Sequence, residues 1–130
     1  GLANPGVGPR VYAACHTALE VGLPEARIPL SYAVLDLATS PKSNSSYLAI
    51  DAALADLEQM TSMQIPPHIL NKELKSGKFK YQYPHDFEGG YVKQQYLPEE
   101  LMEKIYYEPK TTGSYERGIK EYLKQLKEKS

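Results

Sequence analysis

His85 and Asp86 form the most catalytic-looking pair in the chain, because a carboxylate beside an imidazole can orient it as a general base. No nucleophile announces itself near them, and a hydrogen-bonded turn after Pro84, closed by Asp86, is the simpler reading. Lys72, Lys75, Lys78 and Lys80 interleave with Phe79, Tyr81 and Tyr83. Cations for phosphates beside rings for bases are what a single-stranded DNA site needs, although Glu73, Asp86 and Glu88 dilute the charge. Lys42, Ser43 and Asn44 stand where a helix begins, a place suited to an anion or to simple capping.

Other chemistries are poorly supplied. His16, His68 and His85 are far apart, and neither His-x-x-x-His nor Cys-x-x-Cys occurs, so metal-ligand spacing is missing. Gly6-Val-Gly-Pro-Arg10 is glycine-rich but follows no strand and lacks the Gly-Lys-Ser/Thr ending that holds phosphates and magnesium. The pattern excludes ATP binding in the usual P-loop manner, and no cofactor is expected on this chain.

These residues must be positioned by helices. Asn4-Pro5 reads as a helix start, and the stripe Val11, Ala14, Cys15, Ala18 and Leu19 carries that helix to Val21, where Gly22 ends it. Cys15 then reads as a small core residue. A second helix spans Ala26 to Thr39 with Leu30, Val34, Leu37 and Ala38 on one face. It is so apolar that cover on more than one side is expected. Ser40-Pro41 forces a joint, and Ser43 or Asn44 caps a third helix to Met60 with a Tyr47, Ile50, Leu54 and Leu57 stripe. The short joint makes the second and third helices an expected antiparallel hairpin.

Beyond Met63 proline and glycine prevent long elements. One helical turn fits Asn71–Lys75, and Phe79, Tyr81 and Tyr83 alternate like a strand, within what reads as an extended aromatic segment wrapping the helices. Pro98 opens an expected helix to Tyr107, and a last amphipathic helix is predicted over Ser114 to Lys129 with Glu and Lys on its outer face. The fold class expected is all-α, a helical bundle in a single domain over residues 1–130.

The 130 residues can bury a core, and net charge −1 argues against bulk nucleic acid or an anionic membrane as a purely electrostatic partner. Residues 1–65 hold 3 basic and 6 acidic groups (net −3), and residues 66–130 hold 12 and 10 (net +2), too small a contrast to name a partner. With 1 Cys no intrachain disulfide forms, and a reducing cytoplasm is the expected compartment. No apolar run is long enough to span a membrane, and no signal peptide is expected, since no basic stretch precedes an apolar run. Gly1-Leu-Ala-Asn-Pro5, without an initiator Met, reads as a cut inside a longer chain. Among 13 aromatic residues 11 are Tyr, and tyrosine suits half-buried sites and protein interfaces.

Several ordered blocks resemble one family. They are Gly1-Leu-Ala-Asn-Pro5, Gly22-Leu-Pro-Glu-Ala-Arg-Ile-Pro-Leu30, and Ala38 through Tyr47 with Pro41-Lys42-Ser43-Asn44 at its centre. They continue with Pro66-Pro-His68-Ile-Leu-Asn71, Tyr81-Gln-Tyr83-Pro-His85-Asp86, Gln95-Tyr96-Leu-Pro98 and Tyr106-Tyr107-Glu-Pro109. Together they resemble the carboxyl-terminal domain of the RarA/MgsA-type AAA+ ATPases, clamp-loader relatives. The resemblance implies a non-catalytic, all-helical oligomerisation domain, collar-like and typically tetrameric, in a protein of replication-fork maintenance and recombination-linked repair. It places ATP and magnesium in a separate ATPase module, and the whole protein in the bacterial cytoplasm at the nucleoid. DNA and single-strand-binding protein are implied as partners of the full-length protein. The alternative is a DNA-binding or replication-partner-binding module of the same ATPase. The chain departs from the family at Lys75-Ser-Gly-Lys-Phe79, where a glycine-tyrosine-glycine-like stretch is common.

Overall fold

Gly22 and the Ser40-Pro41 step divide the first 60 residues into three helices. In the computed structural model these are α1 (Val7–Val21), α2 (Arg27–Thr39) and α3 (Ser45–Gln59). A short α4 (Asn71–Lys75) and a terminal α5 (Ser114–Glu128) follow. The structure describes residues 1–60 and 63–128, without the side chains of Lys72 and Glu73. The chain is all-α, and no strand occurs among the described residues.

It divides into two compact units. The first joins Gly1–Ala49 to Tyr107–Tyr122; the second runs through Ile50–Tyr106 and resumes at Leu123.

In the first unit α1 and α2 pack against each other. Gly22 makes the link possible: its φ of 70° lies where only glycine is unstrained, and its N–H closes α1 on the Ala18 carbonyl at 3.1 Å. Ala14 and Ala18, one helical turn apart, are buried on α1, as is Ala33 on α2. Small residues let two helix backbones approach closely. Arg10 of α1 grips Asp36 of α2 with two hydrogen bonds, Nε to Oδ2 at 2.7 Å and Nη2 to Oδ1 at 3.0 Å. The hairpin therefore falls on α1 and α2, where the joint at Ser40-Pro41 had predicted α2 and α3.

Asn4 does not cap α1. Its Nδ2 donates instead to Ser40 Oγ at 2.9 Å, and two turns carry the backbone to Val7. The expected apolar stripes are also less buried than their spacing predicts. Cys15 is exposed, Leu19 is 84% exposed, and Val34 and Leu35 are each 63% exposed. Tyr47, Ile50, Leu54 and Leu57 of α3 are between 48% and 61% exposed. Helical spacing marks a face as apolar; it cannot say whether the cover comes from the same chain.

The second unit is built from short turns. Single 3-10 turns occupy Pro67–Ile69, Pro84–Asp86, Glu88–Gly90 and Glu99–Leu101. The Phe79, Tyr81 and Tyr83 alternation does not become a strand. Its neighbour is a side chain: Gln94 accepts from the Gln82 N–H at 2.9 Å through Oε1 and donates to the Gln82 carbonyl at 3.3 Å through Nε2. The helix expected from Pro98 to Tyr107 stops at Leu101, with a turn closed by the Lys104 N–H on the Leu101 carbonyl at 2.9 Å. Asp56 explains the stop. Its carboxylate accepts from Lys104 Nζ at 3.0 Å and from the Tyr106 hydroxyl at 2.8 Å. Residues two apart share a face in extended chain and oppose each other on a helix, so both reach Asp56 only if the helix ends.

Candidate functional site

In the first unit the joint after α2 meets the segment that leads into α5. Thr112 Oγ1 donates to the Lys42 carbonyl at 2.7 Å, and Lys110 Nζ donates to Asn44 Oδ1. Gly113 is buried against the first residues of the chain, and a Cβ there would lie 2.0 Å from the Ala3 carbonyl oxygen.

At the centre of this junction is Glu116, in the first turn of α5 and 0% exposed. Tyr107 donates to its Oε1 at 3.2 Å. Oε2 is buried and no donor completes a hydrogen bond to it, although the Ser43 and Ser45 hydroxyls and the Lys110 N–H lie close by. Burial pushes the Glu116 carboxyl up, but Ser43, Ser45, Lys110 and Tyr107 together outweigh it and hold the group below its ordinary 4.5. The Tyr107 hydroxyl is raised, first by burial and then by the Glu116 charge. Ser43 itself caps α3, accepting from the Ser45 N–H at 3.3 Å.

Of the two uses open to the Lys42-Ser43-Asn44 helix start, capping is the one seen, by Ser43, and the carboxylate beside it is the protein's own. A carboxylate beside the first turn of α3 satisfies the positive helix end. Lys42 does not face it. Its Nζ instead donates to the Leu37 carbonyl and, at 2.8 Å, to that of Ser40, the free acceptors that end α2. Pro41 is exposed and Tyr47 points largely into solvent.

The remaining motif residues belong to the second unit. His68 Nε2 lies 2.6 Å from the Gln95 carbonyl, which can only accept, so this nitrogen carries the proton. Gln95 in turn donates to the Leu97 carbonyl at 2.8 Å. Asn71 opens α4, and the Pro98 carbonyl accepts from the Leu101 N–H at 3.0 Å. The Tyr96 hydroxyl accepts from Gln94 Nε2 at 3.0 Å. The Tyr81 hydroxyl is raised by burial and by Tyr96. His85 does not pair with Asp86: its ring lies 4.9 Å from that of Tyr83, and Asp86 takes part in the turn through its N–H on the Tyr83 carbonyl at 3.0 Å.

Pro109 is half-buried between Tyr107 and the Lys110 contact. Lys75, Lys78 and Lys80 are exposed, and the Lys72 side chain lies outside the described ones. Among the described residues no group of three His, Cys, Asp or Glu could hold a metal ion, and no helix is long and apolar enough to cross a membrane.

Glu116 was not legible as a site residue. On α5 it reads as one of several outward acids, and nothing in the sequence pairs it with Ser43 or Ser45.

The chain is all-helical, and its motif blocks serve as internal staples. The sequence profile described as MgsA AAA+ ATPase C terminal matches residues 1–127, so the chain belongs to that family of AAA+ ATPase carboxyl-terminal domains. It is 48% identical over 135 aligned positions to the replication-associated recombination protein A of Bacillus subtilis, covering 99% of this chain and 32% of that protein. Proteins of the same description from Haemophilus influenzae and Escherichia coli K12 are 33% and 34% identical, covering 98% and 87% of this chain and 30% and 27% of theirs. The chain therefore spans about a third or less of each of these relatives.

Proposed function

We propose that this chain is a non-catalytic self-association domain of a RarA/MgsA-type AAA+ ATPase working in replication-fork maintenance and recombination-linked repair. ATP and magnesium belong in this reading to an ATPase module outside the chain, and the assembly is a tetramer in the bacterial cytoplasm. The observation that carries it is the exposed apolar surface of α1 and α2. Leu19, Ile28, Tyr32, Val34 and Leu35 are all at least half exposed, and Asp36 is the only acid on α2, where Arg10 already neutralises it. Exposed patches of this kind mark interaction surfaces, and a second copy offers a matching apolar face by symmetry.

Absolute mass by light scattering on a sizing column tests it. Four chains of 14.6 kDa give the expected mass. A single-chain mass across the whole concentration range overturns the reading.

A further inference from the structure

Two domains of one chain move relative to each other when an exposed, flexible linker joins them. The first residues of this chain have the opposite properties. Ala3 is 3% exposed. A Cβ at Gly1 would run into the Ser43 carbonyl, and one at Gly113 into the Ala3 carbonyl, so backbone lies directly on backbone at both places. Asn4 ties the same segment twice. Its N–H donates to the Gly1 carbonyl at 3.2 Å, closing a turn, and its Nδ2 donates to Ser40 Oγ at 2.9 Å.

These partners stand at the ends of three helices. Ser40 closes α2 through its N–H on the Asp36 carbonyl at 3.1 Å, and Ser43 caps α3. At the start of α5 the Gly113 carbonyl accepts from the Arg117 N–H at 3.1 Å. Asp36 is also the residue that Arg10 grips from α1. All of them belong to the first unit. Gly1 is exposed, so a chain continued ahead of it leaves these contacts undisturbed.

We infer that residues 1–4 are a rigid coupling, which holds a module carried ahead of Gly1 at a fixed orientation to the α1–α2 pair instead of on a flexible tether. The inference goes beyond self-association. It rests on the proposed function only in taking an ATPase module to lie outside the chain, and on the family's being a carboxyl-terminal domain in taking that module to lie ahead of Gly1. Swinging the entry freely would require the backbone contacts at Ser43 and Gly113 to part together. A displaced entry therefore displaces the exit of α2 and the starts of α3 and α5. Movement of the upstream module is passed in this way to the helix that carries Val34 and Leu35.

Nitrogen-15 relaxation of the whole chain tests the first half. Order parameters at Leu2, Ala3 and Asn4 should match those of α1, near the roughly 0.85 of rigid backbone, and not fall below the about 0.6 that marks a flexible one. A reporter whose chain ends inside a β-strand, the B1 domain of protein G, joined directly ahead of Gly1 tests the second half. Its amides should show the same rotational correlation time as those of α1. A Gly-Ser spacer of about eight residues at the join should shorten the reporter's time roughly twofold. The inference is overturned if residues 2–4 are as mobile as a linker, if the directly joined reporter tumbles faster than α1, or if the spacer changes nothing. A single-chain mass by light scattering would sink the self-association reading and leave these comparisons intact, because each is made against α1 in the same particle.

Discussion

The Tyr107 hydroxyl donates to Glu116 Oε1 at 3.2 Å, joining the segment before α5 to a carboxylate with no solvent exposure. Because Ser43 and Ser45 flank the same carboxylate, one charged group secures the start of α3 and the start of α5. A buried charge is tolerated only where its surroundings replace water. Tyr107 does so at Oε1, and the nearby Ser43 and Ser45 hydroxyls and Lys110 N–H favour the charged form, although no hydrogen bond reaches Oε2.

Glu116→Ala should cost about 1–3 kcal/mol, since it leaves the Tyr107 hydroxyl facing an empty, dry site. Tyr107→Phe should cost less than Glu116→Ala. Urea denaturation of both variants checks the order; equal stability of Glu116→Ala and the parent would refute the cluster as a staple.

Acid should destabilise the protein through three carboxylates. Asp36, held down by Arg10, and Asp56, held down by Lys104 and Tyr106, sit below their ordinary 3.8; Glu116 sits below 4.5. Depressed folded values mean that the unfolded chain binds protons first as pH falls. The stabilisation is thus complete above about pH 5 and is lost as pH drops through the folded values. Urea midpoints measured from pH 7 to pH 3 should decline only at the acid end, and less steeply in a chain with Asp36→Asn, Asp56→Asn and Glu116→Gln.

Gly113→Ala places a methyl 2.0 Å from the Ala3 carbonyl oxygen, so backbone must move. Overpacking of this kind costs about 1–3 kcal/mol. Gly118→Ala, where a Cβ meets nothing within 4 Å, is the control and should be neutral or mildly stabilising as a helix substitution. Thermal unfolding of the pair separates the close approach from a general effect of removing glycine.

Asp56→Ala should lower the titration of the Tyr106 hydroxyl, which burial and then Asp56 now raise. Ring-labelled tyrosine observed by NMR at alkaline pH reads this directly. An unmoved Tyr106 resonance would mean that burial alone raises it.

Val34→Glu with Leu35→Glu should convert an assembled form to single chains without loss of helix content. Both side chains are 63% exposed, so charge there disturbs no internal packing. Sizing with light scattering gives the mass and circular dichroism gives the helix content. Unchanged mass would move the association surface off α2.

The long helices were legible because their boundaries are chemical. Gly22 supplies a positive φ, Pro41 stops α2 and Ser43 caps α3, and each acts within a few residues of the element it bounds. What was not legible depends on partners distant in sequence. Asp56 ends a helix predicted to continue to Tyr107, from 48 residues before Lys104. Gln94 takes the place of a strand beside Gln82 with a side chain, which no alternation pattern announces. Pairing of Glu116 with Ser43 and Ser45 belongs to the same class. Exposure of Leu19 and Val34 failed for a different reason: an apolar stripe records that a face is covered, and its cover here lies outside the chain in the reading proposed above.

The first unit is interrupted in sequence, its two parts being Gly1–Ala49 and Tyr107–Tyr122. On the ribosome α1 and α2 emerge together, whereas Glu116 follows Ser45 by 71 residues (116 − 45). At about 5–20 residues per second, translation leaves that junction open for roughly 4–14 s. During that interval the nascent chain presents the apolar side chains of α2 before the residues that fasten its exit from the helix have been made. The emergence of Glu116 fastens that exit, while Val34 and Leu35 stay exposed in the finished chain and wait for a second copy.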